Sequence, residues 1–496
     1  GLIASSLLRA ADTVELLPGK ITGTISLSSE VIKNGTVYAN ATDGSSSAQA
    51  SFTGSTYSLV VPAGKTWRLY FYVYFEVPTG SSGYNYCYVN LPDQVSVAAD
   101  QTVTNDLPIA SARIVADVQV ANGSLDRITE LRASGSSSTI SNFSFNYYSQ
   151  NVDYIVSLPF ANVSVYGSAT VTSDAGDTSA QSLTSQTVNV SAAGATATWN
   201  LDAAFASGAI VGDIAMQGAV SSNSSTIYLY NATNTQVGTQ SVQGTGSYEF
   251  TNLIPGRYRY YGYHYFDRAQ LYMYGYADAV AGSITEVDYT DNVGLAQAEI
   301  NPTGFLTKEA VSSGNVYGQW TQPNPNPDNL SRTAYANFDA TARNFSGAVT
   351  PGEWKFNQMN LNGYDRTTPG VYINYALGIY DYQPTAVSFS GGETQTVATF
   401  DFDTTQTELT FESAGATSET LITSAQVSGY FVSYENGSPQ QQLSFSSSTS
   451  TNTPQPRQRV RVVGIPGTYN VQTYGYVDGS RVSFGNFTLE LREPLP

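Results

Sequence analysis

Ile210-Val211-Gly212-Asp213-Ile214 leads to Gly246-Ser247-Tyr248-Glu249-Phe250, to the turn Pro255-Gly256, and to Tyr258-Arg259-Tyr260-Tyr261-Gly262-Tyr263-His264-Tyr265-Phe266. β-branched and aromatic residues on a period of two read as strands with one face on a core and the other carrying tyrosines. In the opening strand Gly212 shares a face with Ile210 and Ile214, so a facing strand or ring can approach closely.

The pattern recurs outward from this stretch. Openings of the same form stand at Ile21-Thr22-Gly23-Thr24-Ile25, Ile114-Val115-Ala116-Asp117-Val118, Val316-Tyr317-Gly318-Gln319-Trp320 and Val427-Ser428-Gly429-Tyr430-Phe431. Turns answer at Pro62, Pro159, Pro255, Pro351 and Pro466, spaced 97, 96, 96 and 115 residues apart. Tyr57, Tyr154, Tyr248, Phe345 and Val460 precede them by a few positions. A period near a hundred residues is one small β-domain per repeat. The expected fold is therefore all-β: five tandem Ig-like or transthyretin-like β-sandwich domains in an elongated, semi-rigid array. The expected divisions are a leader at 1–16 and sandwiches at 17–108, 109–206, 207–296, 297–408 and 409–496. In the fourth repeat the prolines at 323, 325 and 327 exclude a strand, so 321–329 is a loop. A second turn at Pro369-Gly370 leaves the internal register of that repeat open. The leader reads equally as a helix with Leu2, Ile3, Leu7 and Leu8 on one stripe or as a strand at Thr13-Val14-Glu15-Leu16.

Composition narrows the function. Only 12% of the 496 residues are charged, about half the usual share. Tyr numbers 36, while Lys occurs only at Lys20, Lys33, Lys65, Lys308 and Lys355. A net charge of −18 with 21 scattered Lys and Arg argues against nucleic acid and anionic membrane surfaces as partners. No apolar run reaches the 18 residues of a membrane span. The single cysteine, Cys87, forms no intrachain disulfide and reads as a small buried residue. The chain reads as exported to the cell exterior with its signal removed.

The third repeat, with Gly246-Ser247-Tyr248 and Pro255-Gly256-Arg257-Tyr258, and the fifth, with Ile465-Pro466-Gly467-Thr468-Tyr469, resemble the carboxypeptidase-regulatory-like, or transthyretin-like, β-sandwich repeats of extracellular surface proteins. The resemblance implies adhesive, structural or accessory modules and carries over no catalytic residue. Some surface relatives lock each domain with a Lys–Asn isopeptide bond. That is not general here, since no Lys lies between Lys65 and Lys308.

No catalytic constellation accompanies the sole histidine, His264, which reads as stacked within its aromatic strand. The acidic pairs Asp174/Asp177, Asp288/Asp291 and Asp401/Asp403 read as solvated turns. No cofactor is expected, and calcium at these carboxylates would be adventitious. The candidate contact residues are Tyr84, Tyr86 and Tyr88, then Tyr261, Tyr263 and Tyr265, and Tyr272, Tyr274 and Tyr276. Their rings would stiffen the sheet, join subunits or stack on sugars. Among twelve Asn-x-Ser/Thr sequons, the glycosylation candidates are Asn34, Asn40, Asn122, Asn142, Asn162, Asn223, Asn329 and Asn436. The reading is a secreted, non-enzymatic structural protein that forms a filament, appendage or surface layer from other copies of itself. Docking would use the tyrosine faces and an end segment, 1–16 or 489–496. The alternative is a carbohydrate-binding adhesin or accessory module that meets cell-surface glycans.

Overall fold

The computed structural model describes residues 7–76, 83–149, 152–159, 161–203, 205, 208–321, 330–414, 421–435 and 437–492. Asn329, Asn436, the proline-rich loop 322–329 and the ends 1–6 and 493–496 lie outside them, as does the side chain of Tyr84. Apart from a 3-10 turn at Lys308–Ala310, every described element is a strand. No described helix is long and apolar enough to cross a membrane.

One pairing scheme recurs five times, and each occurrence is called a module here. In the small sheet a central strand runs antiparallel to one neighbour and parallel to another. The central strands are Pro18–Leu27, Ala112–Val120, Gly208–Ile214, Asn292–Gly304 and the second half of Thr394–Ser413. Their antiparallel neighbours, Thr56–Pro62, Tyr154–Ser157, Gly246–Leu253, Asn344–Val349 and Arg457–Gly464, carry Tyr57, Tyr154, Tyr248, Phe345 and Val460. The parallel neighbour in modules one to four comes from the end of the same module: Thr102–Thr104 with Leu107–Ile109, Ala195–Leu201, Ile284–Glu286, and the first half of Thr394–Ser413.

A four-stranded antiparallel sheet covers each small sheet. In the first module its order is Ser47–Thr53, Ile32–Ala41, Lys65–Phe75, Gly83–Val97. Alternation sorts its faces: Trp67, Leu69, Phe71, Val73 and Phe75 are buried, while Tyr70, Tyr72 and Tyr74 face outward. In Gly256–Tyr265, Tyr258, Tyr260 and His264 point inward and Tyr261, Tyr263 and Tyr265 outward.

The Pro-Gly turns and small residues have specific structural duties. A residue before proline is held extended, and its carbonyl here is taken by the aromatic residue that follows the turn. Tyr258 donates to Ile254 O at 2.8 Å, Tyr469 to Ile465 O at 2.6 Å, and Trp354 Nε1 to Thr350 O at 2.8 Å. At Gly23 and Gly212 the parallel strand passes so close that an added Cβ would lie 2.0 Å from Asn105 O and 1.9 Å from Val287 O. Tyr57 and Tyr248 reach across those glycines and donate to the same two carbonyls, at 2.6 and 2.5 Å.

The all-β sandwich reading holds; the elongated array does not. Among the described residues, four ladders join neighbouring large sheets edge to edge. Asn142–Ser149 pairs with Gly83–Val97, Ala269–Ala279 with Ser331–Asp339, and Val371–Asp381 with Ser438–Gln455. The fourth ladder pairs Ser480–Leu491 of the fifth module with Ser47–Thr53 of the first. The modules thus close into a circuit, because each large sheet has two edge strands and exposed edges pair readily. The leader is strand, at Leu7–Leu8 and Thr13–Leu16, and it docks within its own chain on the fifth module.

The openings of the last two repeats do not sit where those of the first three do. Val316-Tyr317-Gly318-Gln319-Trp320 and Val427-Ser428-Gly429-Tyr430-Phe431 lie in large sheets, within Val311–Thr321 and Ile422–Glu435, and not in the central strands of their modules. Their glycines make room for rings, Gly318 for Phe356 and Gly429 for Phe445. The divisions set at 297 and 409 fall inside Asn292–Gly304 and Thr394–Ser413.

Candidate binding surfaces

Two tyrosine strips run across the strands on the outward faces of the large sheets. In the first, Tyr38 stacks on Tyr70 (4.6 Å between centroids), and Tyr70 meets Tyr88. Tyr72 stacks on Tyr86 at 5.1 Å, and Tyr86 stacks on Tyr148 at 6.1 Å, across the ladder between modules one and two. Arg132 caps the far end, its guanidinium lying over Tyr148 and Tyr166.

The second strip is longer. Tyr228 and Tyr230 pack edge-on against Tyr263 and Tyr261, and these meet Tyr272 at 4.8 Å and Tyr274 at 5.6 Å. Tyr272 then reaches Tyr335 at 5.4 Å and Tyr335 reaches Tyr317 at 5.2 Å, which carries the strip from module three into module four. Except for Tyr265, which is exposed, and Tyr84, the candidate tyrosines are half-buried. Burial pushes the Tyr70, Tyr72, Tyr88, Tyr263 and Tyr272 hydroxyls above their ordinary value, so the strips stay neutral and act as hydrogen-bond donors and acceptors.

Tyr38, Tyr70, Tyr72, Tyr148, Tyr228, Tyr230, Tyr317 and Tyr335 were not among the candidates. Tyr70 and Tyr72 sit in a plainly alternating strand and were readable there. The others join only through cross-strand neighbours, which no local window displays.

Beside the second strip, where modules three and four meet, lies a cleft of about 540 Å³. The ladder between these modules ends at Tyr274 opposite Ser331, so Tyr276 projects past it into the cleft wall. Arg257 lies 4.8 Å over the Tyr276 ring, and Asp278 and Glu286 stand exposed at the rim.

The remaining chemistry-bearing residues are engaged elsewhere. His264 is wholly buried, its Nδ1 2.7 Å from Ser225 Oγ and its ring 4.8 Å from Tyr289. Burial, aided by the charge of Arg332, lowers its pKa to about 3. Asp288 accepts the N–H of Asp213 at 2.9 Å, whereas Asp291 faces Arg332 at 3.5 Å. Asp401 and Asp403 accept from Asn301 and Thr303 of the adjacent parallel strand, both at 2.7 Å. Asp174 and Asp177 are exposed at a turn. Among the described residues no three His, Cys, Asp or Glu side chains are grouped to hold a metal. Cys87 is buried, which pushes its thiol pKa up. Asn34, Asn40, Asn142, Asn162 and Asn223 are exposed. Asn122 is half-buried, with its amide bonded at both ends to the backbone of Ala203.

No family model and no curated protein sequence matches this chain. Solved structures give a likeness in architecture. The Bacillus anthracis TIE protein aligns over 81% of this chain and 74% of its own at 10% identity, with a TM-score of 0.15. GBS52, the minor pilin of Streptococcus agalactiae, aligns over 40% and 95% at 13% identity, with a TM-score of 0.17. Putative polysaccharide-binding proteins from Bacteroides thetaiotaomicron align over 42% and 92% at 7% identity, with a TM-score of 0.17. At these scores no function is drawn from the likeness.

Proposed function

We propose that this protein is a non-enzymatic structural protein of the cell exterior, which assembles with copies of itself into a filament, appendage or surface layer without covalent cross-links. The observation behind this reading is the unbroken run Tyr263–Tyr272–Tyr335–Tyr317 across the ladder between two modules. Sheet stiffening needs only isolated cross-strand pairs. A neutral ring surface held rigid over two modules offers a partner large contact area at low entropic cost. Its neutrality also keeps carboxylates out of the contact itself, so that the net charge of −18 acts between copies only at longer, salt-screened range.

Sedimentation and electron microscopy of the purified protein test this. The wild type forms regular assemblies as concentration rises. Tyr272→Ser with Tyr335→Ser raises the concentration needed at least tenfold and leaves the secondary structure intact. Equal assembly by the double variant overturns the role of the strip.

A second reading, binding of cell-surface glycans, is favoured by the cleft at Tyr276. A half-buried aromatic ring, the guanidinium over it and two exposed carboxylates suit the apolar face and hydroxyls of a sugar. A glycan array tests it: a saturable hit that Tyr276→Ala abolishes supports the reading, and no hit removes it.

A further inference from the structure

In modules one to four the chain runs from the parallel strand of one small sheet into the central strand of the next module. The fifth module takes its parallel strand from elsewhere. Thr13–Leu16 lies beside the second half of Thr394–Ser413, with Thr13 opposite Thr410 and Leu16 opposite Ser413. One residue, Leu17, then separates it from the central strand of module one.

The docking is extensive for so short a segment. Leu8, Val14 and Leu16 are buried. Ala11 N donates to Glu408 O at 2.8 Å, Thr410 N to Asp12 O at 2.9 Å, and Ala414 N to Leu16 O at 2.9 Å. Leu7–Leu8 adds a parallel pairing with Thr488 and Leu489. A strand that belongs covalently to the first module thus completes the sheet of the fifth. The fifth module makes the same ladder whether that strand comes from its own chain or from another.

Besides the leader, the closing junction holds a short ladder of Ser480, Arg481 and Val482 against Ala50, Gln49 and Ala48, packing of Ser480–Leu491 against Thr56–Pro62, the pair Lys20–Asp478 at 2.9 Å, and the bond from Val60 N to Ser480 Oγ. Elsewhere in the circuit, modules two and three share no ladder among the described residues. Ser182 Oγ lies 2.6 Å from Thr233 Oγ1 and accepts from Asn231 Nδ2 at 3.3 Å. The ladders hold modules one and two as one body and modules three to five as another. Opening the circuit therefore costs the leader pairing, one three-residue ladder and the packing of Ser480–Leu491 on Thr56–Pro62, and the junction between modules two and three gives without breaking a ladder among the described residues.

We propose that residues 7–16 are an exchangeable strand: the segment of one copy completes the fifth module of a second copy. The partner is this chain itself, and the contact is the one already present within the chain. This rests on the self-assembly reading and names a contact for it distinct from the tyrosine strips.

The test uses two single variants of the full chain, Thr13→Cys and Thr410→Cys. These positions face each other across the parallel ladder and lie toward the surface, and neither variant can form the 13–410 disulfide alone. Cys87 is buried and takes no part. The two proteins, one of them labelled with nitrogen-15 so that their masses differ, are mixed under assembling conditions and oxidised with diamide, which takes up the two electrons and both thiol protons as the S–S bond forms. Disulfide-linked pairs with the 13–410 link confirmed by peptide mapping are expected. Assemblies without this link overturn the exchange and leave assembly through the tyrosine strips standing. Chains that stay monomeric and unlinked at every concentration overturn both. The double variant is a second measure. Oxidised at high dilution, it is locked within one chain and joins assemblies at least tenfold less well than its reduced form. Equal joining overturns the proposal.

Discussion

Ser480 Oγ accepts the backbone N–H of Val60 at 2.9 Å, a buried bond between residues 420 positions apart. It ties the last strand of the fifth module to the small sheet of the first, where Val60 has no other use for its donor within that hydrogen-bonding pattern. Ser480→Ala leaves a buried N–H without an acceptor, which costs about 1–3 kcal/mol. The expected result is a lower thermal midpoint, together with faster proteolysis of the leader.

The leader can be released on purpose. Leu16 is 2% exposed, and a carboxylate there has no partner, so Leu16→Asp detaches the strand at a cost of about 3 kcal/mol or more. Hydrogen exchange should then quicken at Thr410 and Ala414, whose amides the leader holds. Amides of Ala112–Val120, in the second module, keep their protection. Equal loss in both places would mean that the leader supports the whole circuit and not one sheet.

Tyr248 and Gly212 act on one carbonyl, Val287 O. Tyr248→Phe removes its donor and costs about 1–2 kcal/mol. Gly212→Ala drives a methyl group into it and displaces the parallel strand, at about 3 kcal/mol or more. Urea unfolding should rank the glycine change as the more damaging.

His264 makes stability depend on pH. Its folded pKa, about 3, lies below the ordinary 6.5, so the native state holds the ring neutral while the unfolded chain takes a proton. The contribution is complete above pH 6.5 and is lost as pH falls from 6.5 toward 3, on the order of 5 kcal/mol over the whole span. Tyr289, the ring beside it, is held well above its ordinary value by burial and stays neutral throughout that range. Thermal midpoints measured from pH 7 to pH 4 should fall more steeply for the wild type than for His264→Gln.

Much of the fold was legible because alternation is a local property. The strands Lys65–Phe75 and Gly256–Tyr265 declare their two faces residue by residue; His264 reads from its neighbours as a stacked ring, and the ring it meets is Tyr289, outside its own strand. Register in the last two modules was not legible. An apolar-small-apolar strand arises wherever a ring or a strand crosses closely, and Gly318 and Gly429 meet that need in the large sheets. The same limit applied to the candidate surface: Tyr86, Tyr263 and Tyr272 could be named, but their partners Tyr148, Tyr228 and Tyr335 stand on other strands.

The amino-acid sequence by itself determined that this chain is all-β and of sandwich type, and that its strands carry tyrosine in place of charge. Those properties follow from side-chain period and composition, which act over a few residues. Only the tertiary structure decided that the sandwiches close into a circuit and that Thr13–Leu16 completes the fifth. Backbone N–H and C=O groups at a sheet edge are alike in every strand, so which edge pairs with which is set by where the folded modules bring those edges together.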